Sequence, residues 1–254
     1  MSASANALLM KKAWRMRDDL YSELFGRPAF VLPKLYEPPA EPEPTFETSA
    51  QVSEVGERIK AFNSAMHEQR INVLAYAPDE KRDYWLYVTA GLSNPWFQEE
   101  ADQVSGFGCE LAIKAPAAGR WPIKMLRRLS YYILSYAGTL SPGVILNMPG
   151  PINPGKDADL NNLFIWYLDE APDAWYEITS GGFGIFCAVG ISEQEAVFAE
   201  GIGEYGTWCV QEVLRRTGIQ QVTDPARQCV MKRSDIGGIT QSVRTYADNF
   251  RPVS

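Results

Sequence analysis

Histidine is nearly missing from this chain: His67 is the only one in 254 residues. A Ser-His-Asp or Cys-His catalytic arrangement would have to use that residue, and a multi-histidine metal site is excluded. His67 falls in a helical pattern and reads as a surface side chain. Cysteine is also sparse. Cys109, Cys187, Cys209 and Cys229 form no CxxC unit, so neither a zinc ribbon nor a thioredoxin-type redox pair is available. All four read as buried thiols of a reducing compartment. No apolar run is long enough to span a bilayer, and MSASANALLMKK lacks the basic start of a secretory signal, which makes the cytoplasm the expected location. Basic charge is in deficit. With 24 Lys and Arg against 31 Asp and Glu, the net charge is -7, and no basic stripe exists to neutralise phosphates. Nucleic acid and membrane surfaces are therefore not expected partners, whereas an acidic chain suits a basic protein.

What is present is an ordinary globular composition, 46% apolar and 22% charged. Leu9, Ala13, Met16, Leu20 and Leu24 recur at helical spacing, predicting a helix over Leu8 to Phe25 that stops at Gly26-Arg27-Pro28 and packs on its own domain. Pro33 to Pro44 is proline- and acid-rich and reads as an extended connector. A second helix is expected over Ser53 to Gln69. Ile71–Ala77 and Trp85–Ala90 are β-rich runs around a charged turn and predict a hairpin. Cys109–Ala115, Val144–Met148, Leu163–Leu168 and Phe183–Val189 read as strands. A helix begins at Trp121-Pro122, buries Met125, Leu126, Leu129, Ile133 and Tyr136, and ends at Gly138. Ser192 and Glu195 form a capping-box pattern opening a helix expected to run to Arg216, with Gly218 as its stop. Gln221–Met231 reads as a last strand-like piece and Lys232–Ser254 as a loosely held polar tail. Strands in a group, interrupted by a few helices, predict an α+β fold: a mixed, largely antiparallel sheet covered by helices, with an N-terminal helical extension. The expected division is 1–67, 68–233 and 234–254.

The motifs that could carry chemistry fail one by one. Gly150-Pro-Ile-Asn-Pro-Gly155-Lys156 imitates a phosphate loop, but Asp157 stands where Ser or Thr should hold magnesium, and Pro151 and Pro154 remove amide donors. Gly91-Leu92-Ser93 lacks the second glycine of a nucleophile elbow, Pro95 standing there instead. Gly106-Phe107-Gly108 is only a strand entry. Glu110, inside a strand, must be paired or protonated if buried, and Arg127 or Arg128 on the next helix is the expected partner. Asp224 and Arg227 are expected to pair locally across a turn. A carboxylate-dependent enzyme acting on a small substrate around Glu110 and Asp224 remains the rival reading. Among the aromatics, Tyr131, Tyr132 and Tyr136 cannot all share one face of one helix. At least one is therefore half-exposed, as interface tyrosines are.

Three stretches together resemble a known family. Trp85-x-Tyr87…Gly91-Leu92-Ser93, Ser105-Gly106-Phe107-Gly108-x-Glu110-Leu111 and Trp121-Pro122…Leu129-x-x-Tyr132 are similar to the Suppressor of fused (Sufu-like) domain. Weaker matches follow at Phe186–Ile191, the Glu193–Glu195 helix and Thr223-Asp224-x-x-Arg227. The resemblance implies an α+β protein-binding domain without catalysis or cofactor, and a bacterial-type single-domain member is the nearer comparison. In bacteria such domains are thought to include immunity proteins, which would make the partner a toxin, a basic one by the charge argument. It also assigns a binding role to Tyr132; Tyr131, Asp224 and Arg227 are the further candidate partner-binding residues. Trp85, Gly91, Gly106, Gly108, Glu110 and Trp121 become residues that specify the fold. The acid that helps the family's tyrosine has no counterpart here, since Val144 follows Gly143. A homo-oligomer joined through the N-terminal helix is a further reading of the same chain.

Overall fold

The computed structural model describes residues 5–32, 71–96, 98–136, 140–148, 150–153 and 159–249. The proline-rich connector, the expected helix over Ser53–Gln69, His67, Gly138 and residues 154–156 of the Gly150–Lys156 loop lie outside the described residues.

The helix α1 (Ala5–Phe25) buries Leu9, Met10, Ala13, Arg17, Tyr21 and Phe25, five of them at four-residue spacing along one stripe. Gly26 closes it at φ +79 with its amide bonded to the Ser22 carbonyl. Ala13, Tyr21 and Phe25 belong to the main core, so the helix packs on its own chain.

The strands are β1 (Phe30–Leu32), β2 (Asn72–Tyr76), β3 (Trp85–Ala90), β4 (Val104–Ala115), β5 (Ile145–Asn147), β6 (Leu160–Tyr167), β7 (Tyr176–Ile178) and β8 (Gly181–Ser192). They make one sheet in the order β1-β2-β3-β4-β8-β6-β5, with β7 also paired to β8. Among the described residues every strand pairing is antiparallel except β4 with β8. The expected mixed, largely antiparallel α+β sheet is therefore the fold observed. The β2–β3 hairpin forms around Asp79, whose carboxylate accepts from the Lys81 and Arg82 amides. Arg82 turns back to the Phe25 carbonyl at 2.9 Å, capping the C-terminus of α1 with a cation.

Both faces of the sheet are covered. Alternation along the strands sends Leu86, Val88, Ala112, Phe183, Ile185, Cys187 and Val189 to one face, against α1 and the C-terminal helices. Tyr87, Cys109, Leu111, Ile113 and Ala188 go to the other, against α2 (Trp121–Tyr136) through Met125, Leu126, Leu129 and Ile133. All four cysteines are buried and none is in a disulfide.

Three expectations need correction. The capping box forms, with the Glu195 amide donating to Ser192 and the Ser192 amide to Glu195, but its helix α3 (Glu193–Glu200) does not run on to Arg216. The chain breaks at Gly201–Tyr205 and restarts as α4 (Gly206–Arg216). Gly203 turns at φ +82, and a Cβ on Gly206 would collide with the Ala199 carbonyl, so the break lets the two helices cross closely. Gln221–Met231 forms no strand. Val222 makes a single bridge to Lys114, Pro225 removes a donor, and Val230–Lys232 closes a 3-10 turn. Within the residues expected to be a loose tail, Ile236–Asp248 forms α5, which buries Val243 and Ala247 against the core and stacks Tyr246 on Trp208.

Candidate functional site

Glu110 is fully buried in the middle of β4. One carboxylate oxygen accepts from the Gly91 amide at 2.8 Å, the Ser93 amide at 3.0 Å and the Ser93 hydroxyl at 2.6 Å. The other accepts from the Thr89 hydroxyl at 2.6 Å, and Thr89 in turn accepts from the Leu111 amide. The turn Gly91–Pro95 is thus wrapped around one anion. Its nearest cation is Arg17 of α1, at 3.6 Å, rather than Arg127 or Arg128. Alternation explains the difference: Glu110 shares its face with Ala112, beneath α1, while α2 covers the opposite face. Arg17 also donates to Asn94 Oδ1, which accepts from Trp14 as well. The signal for Arg17 was its place on the buried stripe of α1, where an arginine must have an internal partner. The two family glycines lock the same structure. Gly106, at φ +58, leaves no room for a Cβ beside the Leu92 and Asn94 carbonyl oxygens, and the Phe107 amide bonds to Leu92 at 2.9 Å. Gly108, at φ +68, passes under Val104.

Arg227 does not pair with Asp224. Its guanidinium meets both oxygens of the buried Glu195 at 2.7 Å and also donates to the Gly190 carbonyl. Burial would raise Glu195, but the Arg227 fork and the Ser192 and Val230 amides outweigh it and hold the carboxyl below its ordinary range. Asp224 caps its own turn by accepting from the Ala226 amide at 2.9 Å. Thr223 bonds to the Lys114 carbonyl, four residues from Glu110 and therefore about 13 Å along an extended strand. Glu110 and Asp224 do not converge.

A third polar cluster was not foreseen. Lys114, with a side chain 2% exposed, lies 2.8 Å from Glu170 and 3.5 Å from Asp169, with its ammonium 5.2 Å from the Tyr84 ring centre. Desolvation lowers Lys114 and pushes Glu170 up to about 7. Lys114 sits in a β-rich apolar run and gave no periodic signal of its own.

On α2, Tyr131 is half-buried and Tyr132 is 41% exposed. Trp85, half-buried on β3, stacks against Tyr87, and Trp121 opens α2 beside Gly119. Among the described residues no group of three His, Cys, Asp or Glu is placed to hold a metal ion. No described helix is long and apolar enough to cross a membrane.

The family model of the Suppressor of fused protein matches residues 67–228, well over half of the chain. The chain belongs to the Suppressor of fused family. Solved structures of Sufu proteins share its fold at low identity. A crystal structure of the Sufu–Fu complex aligns at 15% identity and a TM-score of 0.60, covering 96% of this chain and 98% of that one. A Sufu homologue from Neisseria gonorrhoeae aligns at 15% identity and a TM-score of 0.53, covering 89% and 100%. Drosophila Suppressor of Fused aligns at 16% identity and a TM-score of 0.52, but the match spans 71% of this chain and only 46% of the fly protein. No curated protein sequence matches the chain. The Sufu match runs from β2 to the Arg227 turn, so it contains Glu110, Tyr132 and the Glu195–Arg227 pair, while α1 and α5 lie outside it.

Proposed function

We propose that this Sufu-family chain is a non-enzymatic protein-binding module of the cytoplasm, and more narrowly an immunity or inhibitor protein that neutralises a basic toxin. One observation carries the reading: the acids most suited to catalysis are consumed by the fold. Glu110 has no exposed surface and accepts four hydrogen bonds, and Glu195 is held by Arg227. Neither can reach a substrate. The Sufu–Fu complex supports the same direction, since that relative assembles with another protein. The recognition unit is residues 68–233. Its contact face includes Tyr131 and Tyr132 on α2, where a large amphipathic ring is 41% exposed on a rigid helix. Asp224 and Arg227, which shape the turn after Thr223, are the further candidate contacts, and the charge of -7 favours a cationic partner.

The test is affinity capture from the native host at low and at moderate salt, with the wild-type chain and the Tyr132→Ala variant side by side. A specific protein recovered by the wild type and reduced for the variant is the expected result. Recovery of no specific protein at either salt would overturn the reading.

A further inference from the structure

The β7–β8 hairpin carries an aromatic surface that none of the motifs above accounts for. In Gly181-Gly182-Phe183-Gly184-Ile185-Phe186 the glycines alternate with apolar side chains. Phe183 and Ile185 enter the core beneath α1, so Gly182 and Gly184 face the other way. Trp175 lies flat on this bare backbone. A Cβ on Gly182 would collide with its indole nitrogen, and a Cβ on Gly108 would stand 3.6 Å from the far edge of its ring. The indole N–H donates to Glu177 at 3.1 Å, which fixes the orientation of the ring. The ring nevertheless remains 43% exposed, as does Val104 beside it.

The two segments that carry the ring have one sign of charge. The loop before β4 is bound to this hairpin: Gln98 donates to the Ser180 carbonyl, the Asp102 amide donates to the same carbonyl, and the Gly182 amide donates to Gln103. Residues 98–109 and 172–184 contain Glu99, Glu100, Asp102, Asp173 and Glu177, all exposed, and no Lys, Arg or His. The helix α1, with its basic residues, packs on the opposite face of the sheet and meets this hairpin at its turn, where Thr179 donates to Met16. A partly exposed indole with a carboxylate on its edge, carried by two segments whose only charges are acidic, is the chemistry that receives a cationic side chain.

We propose that this surface of Trp175, Glu177 and Val104 docks a basic segment of a protein partner, with an arginine or lysine side chain laid across the Trp175 ring. This rests on the protein-binding reading and adds a second contact face, away from Tyr132 in sequence, together with the charge of the segment it takes.

The probe is a synthetic peptide of alternating glycine and arginine, titrated into the full chain, with a glycine–glutamate peptide as control. The readout is the set of indole N–H resonances of the seven tryptophans, with Trp175 assigned by its loss in Trp175→Phe. The arginine peptide is expected to shift the Trp175 signal saturably and the acidic peptide to leave it in place. Trp175→Ala should weaken binding about tenfold, between the values of an exposed and a desolvated cation–π contact. Glu177→Gln, an exposed change that leaves the ring mounted, should weaken it several-fold with an unchanged melting temperature. An unmoved Trp175 resonance, or equal affinity in both variants, overturns the proposal. Capture of a host protein equally by wild type and Trp175→Ala also overturns it while leaving the protein-binding reading standing. Failure to capture any partner, with the peptide titration positive, overturns only that broader reading.

Discussion

Replacing Glu110 should separate a fold-holding carboxylate from a catalytic one. The anion lies in β4 without exposed surface, accepts two amides and two hydroxyls, and stands 3.6 Å from Arg17. In Glu110→Ala all four donors lose their acceptor and the buried guanidinium loses its buried anion, keeping only the exposed Asp18 at 3.6 Å. Breaking a buried charged network in this way costs about 3–5 kcal/mol. Whole domains are stable by about 5–15 kcal/mol, so this change removes roughly a fifth or more of the margin. Glu110→Gln is the informative companion. Its carbonyl oxygen can still accept from Gly91 and Ser93, and only the Thr89 hydroxyl meets a donor where it had an acceptor. The expected cost is about 1–2 kcal/mol, one hydrogen bond's worth of mismatch plus the lost charge. Urea unfolding followed by far-UV circular dichroism reads both, with equal m-values required for the comparison. At roughly 2–4 °C per kcal/mol for a chain of this size, Glu110→Ala should melt about 10 °C below wild type. A Glu110→Ala variant within 1 kcal/mol of wild type, on the scale of a surface change, would refute the idea that the Gly91–Pro95 turn is organised by this anion.

Three further outcomes follow from the same geometry. Arg227→Met leaves Glu195 buried and unpaired, costing about 3–5 kcal/mol, whereas Asp224→Ala loses one turn bond and about 1 kcal/mol; chemical denaturation of the pair measures the gap. Because the folded Glu195 carboxyl titrates below its ordinary value of 4.5, its contribution is fully present above that pH and is lost as the pH falls through the folded value. The acid limb of stability against pH should therefore be shallower in Arg227→Met than in wild type, and identical limbs would count against the pairing. Gly106→Ala, at φ +58 against the Leu92 and Asn94 carbonyls, should cost more than Gly203→Ala, which meets nothing within 4 Å at φ +82. The latter bears only the backbone term of about 1–2 kcal/mol, and thermal melts of both variants decide the order. Tyr132→Ala, at a side chain 41% exposed, should leave the melting temperature within a few degrees while reducing partner capture. A fold-breaking effect would reassign Tyr132 to the core.

Periodicity made the long elements readable. The α1 stripe, the β2–β3 hairpin and α2 each carry enough repeats of one period to be seen locally, and the capping box at Ser192 is a four-residue signal that needs no tertiary context. What stayed hidden depends on who faces whom across the sheet. Glu110 as a buried strand acid was legible, but its partner was not, because choosing Arg17 over Arg127 requires knowing which helix lies on which face. Arg227 was drawn to Asp224 by closeness in sequence, and the fold brought Glu195 across 32 residues instead. The three-residue strands β1 and β7 are too short for alternation to register, and α5 was masked by its own polar surface. The glycine alternation of β8 was in plain view as composition, yet its meaning, a floor for Trp175, depends on β7 folding over it.

The lone parallel seam also sets an order of events. Strands β2 to β4 pair with their neighbours in sequence, and β5 with β6, so those contacts can close early. The seam between β4 and β8 cannot, because Cys109–Ala112 must find Gly184–Cys187, more than seventy residues later. Contacts of that separation are the slow ones in a folding reaction. On a ribosome the twelve-residue β4 would therefore stand with one edge unpaired until Gly181–Ser192 has been made. An apolar, open edge is the surface most prone to pair with a stranger. The stretch of synthesis between the two strands is the interval in which this chain most needs a chaperone.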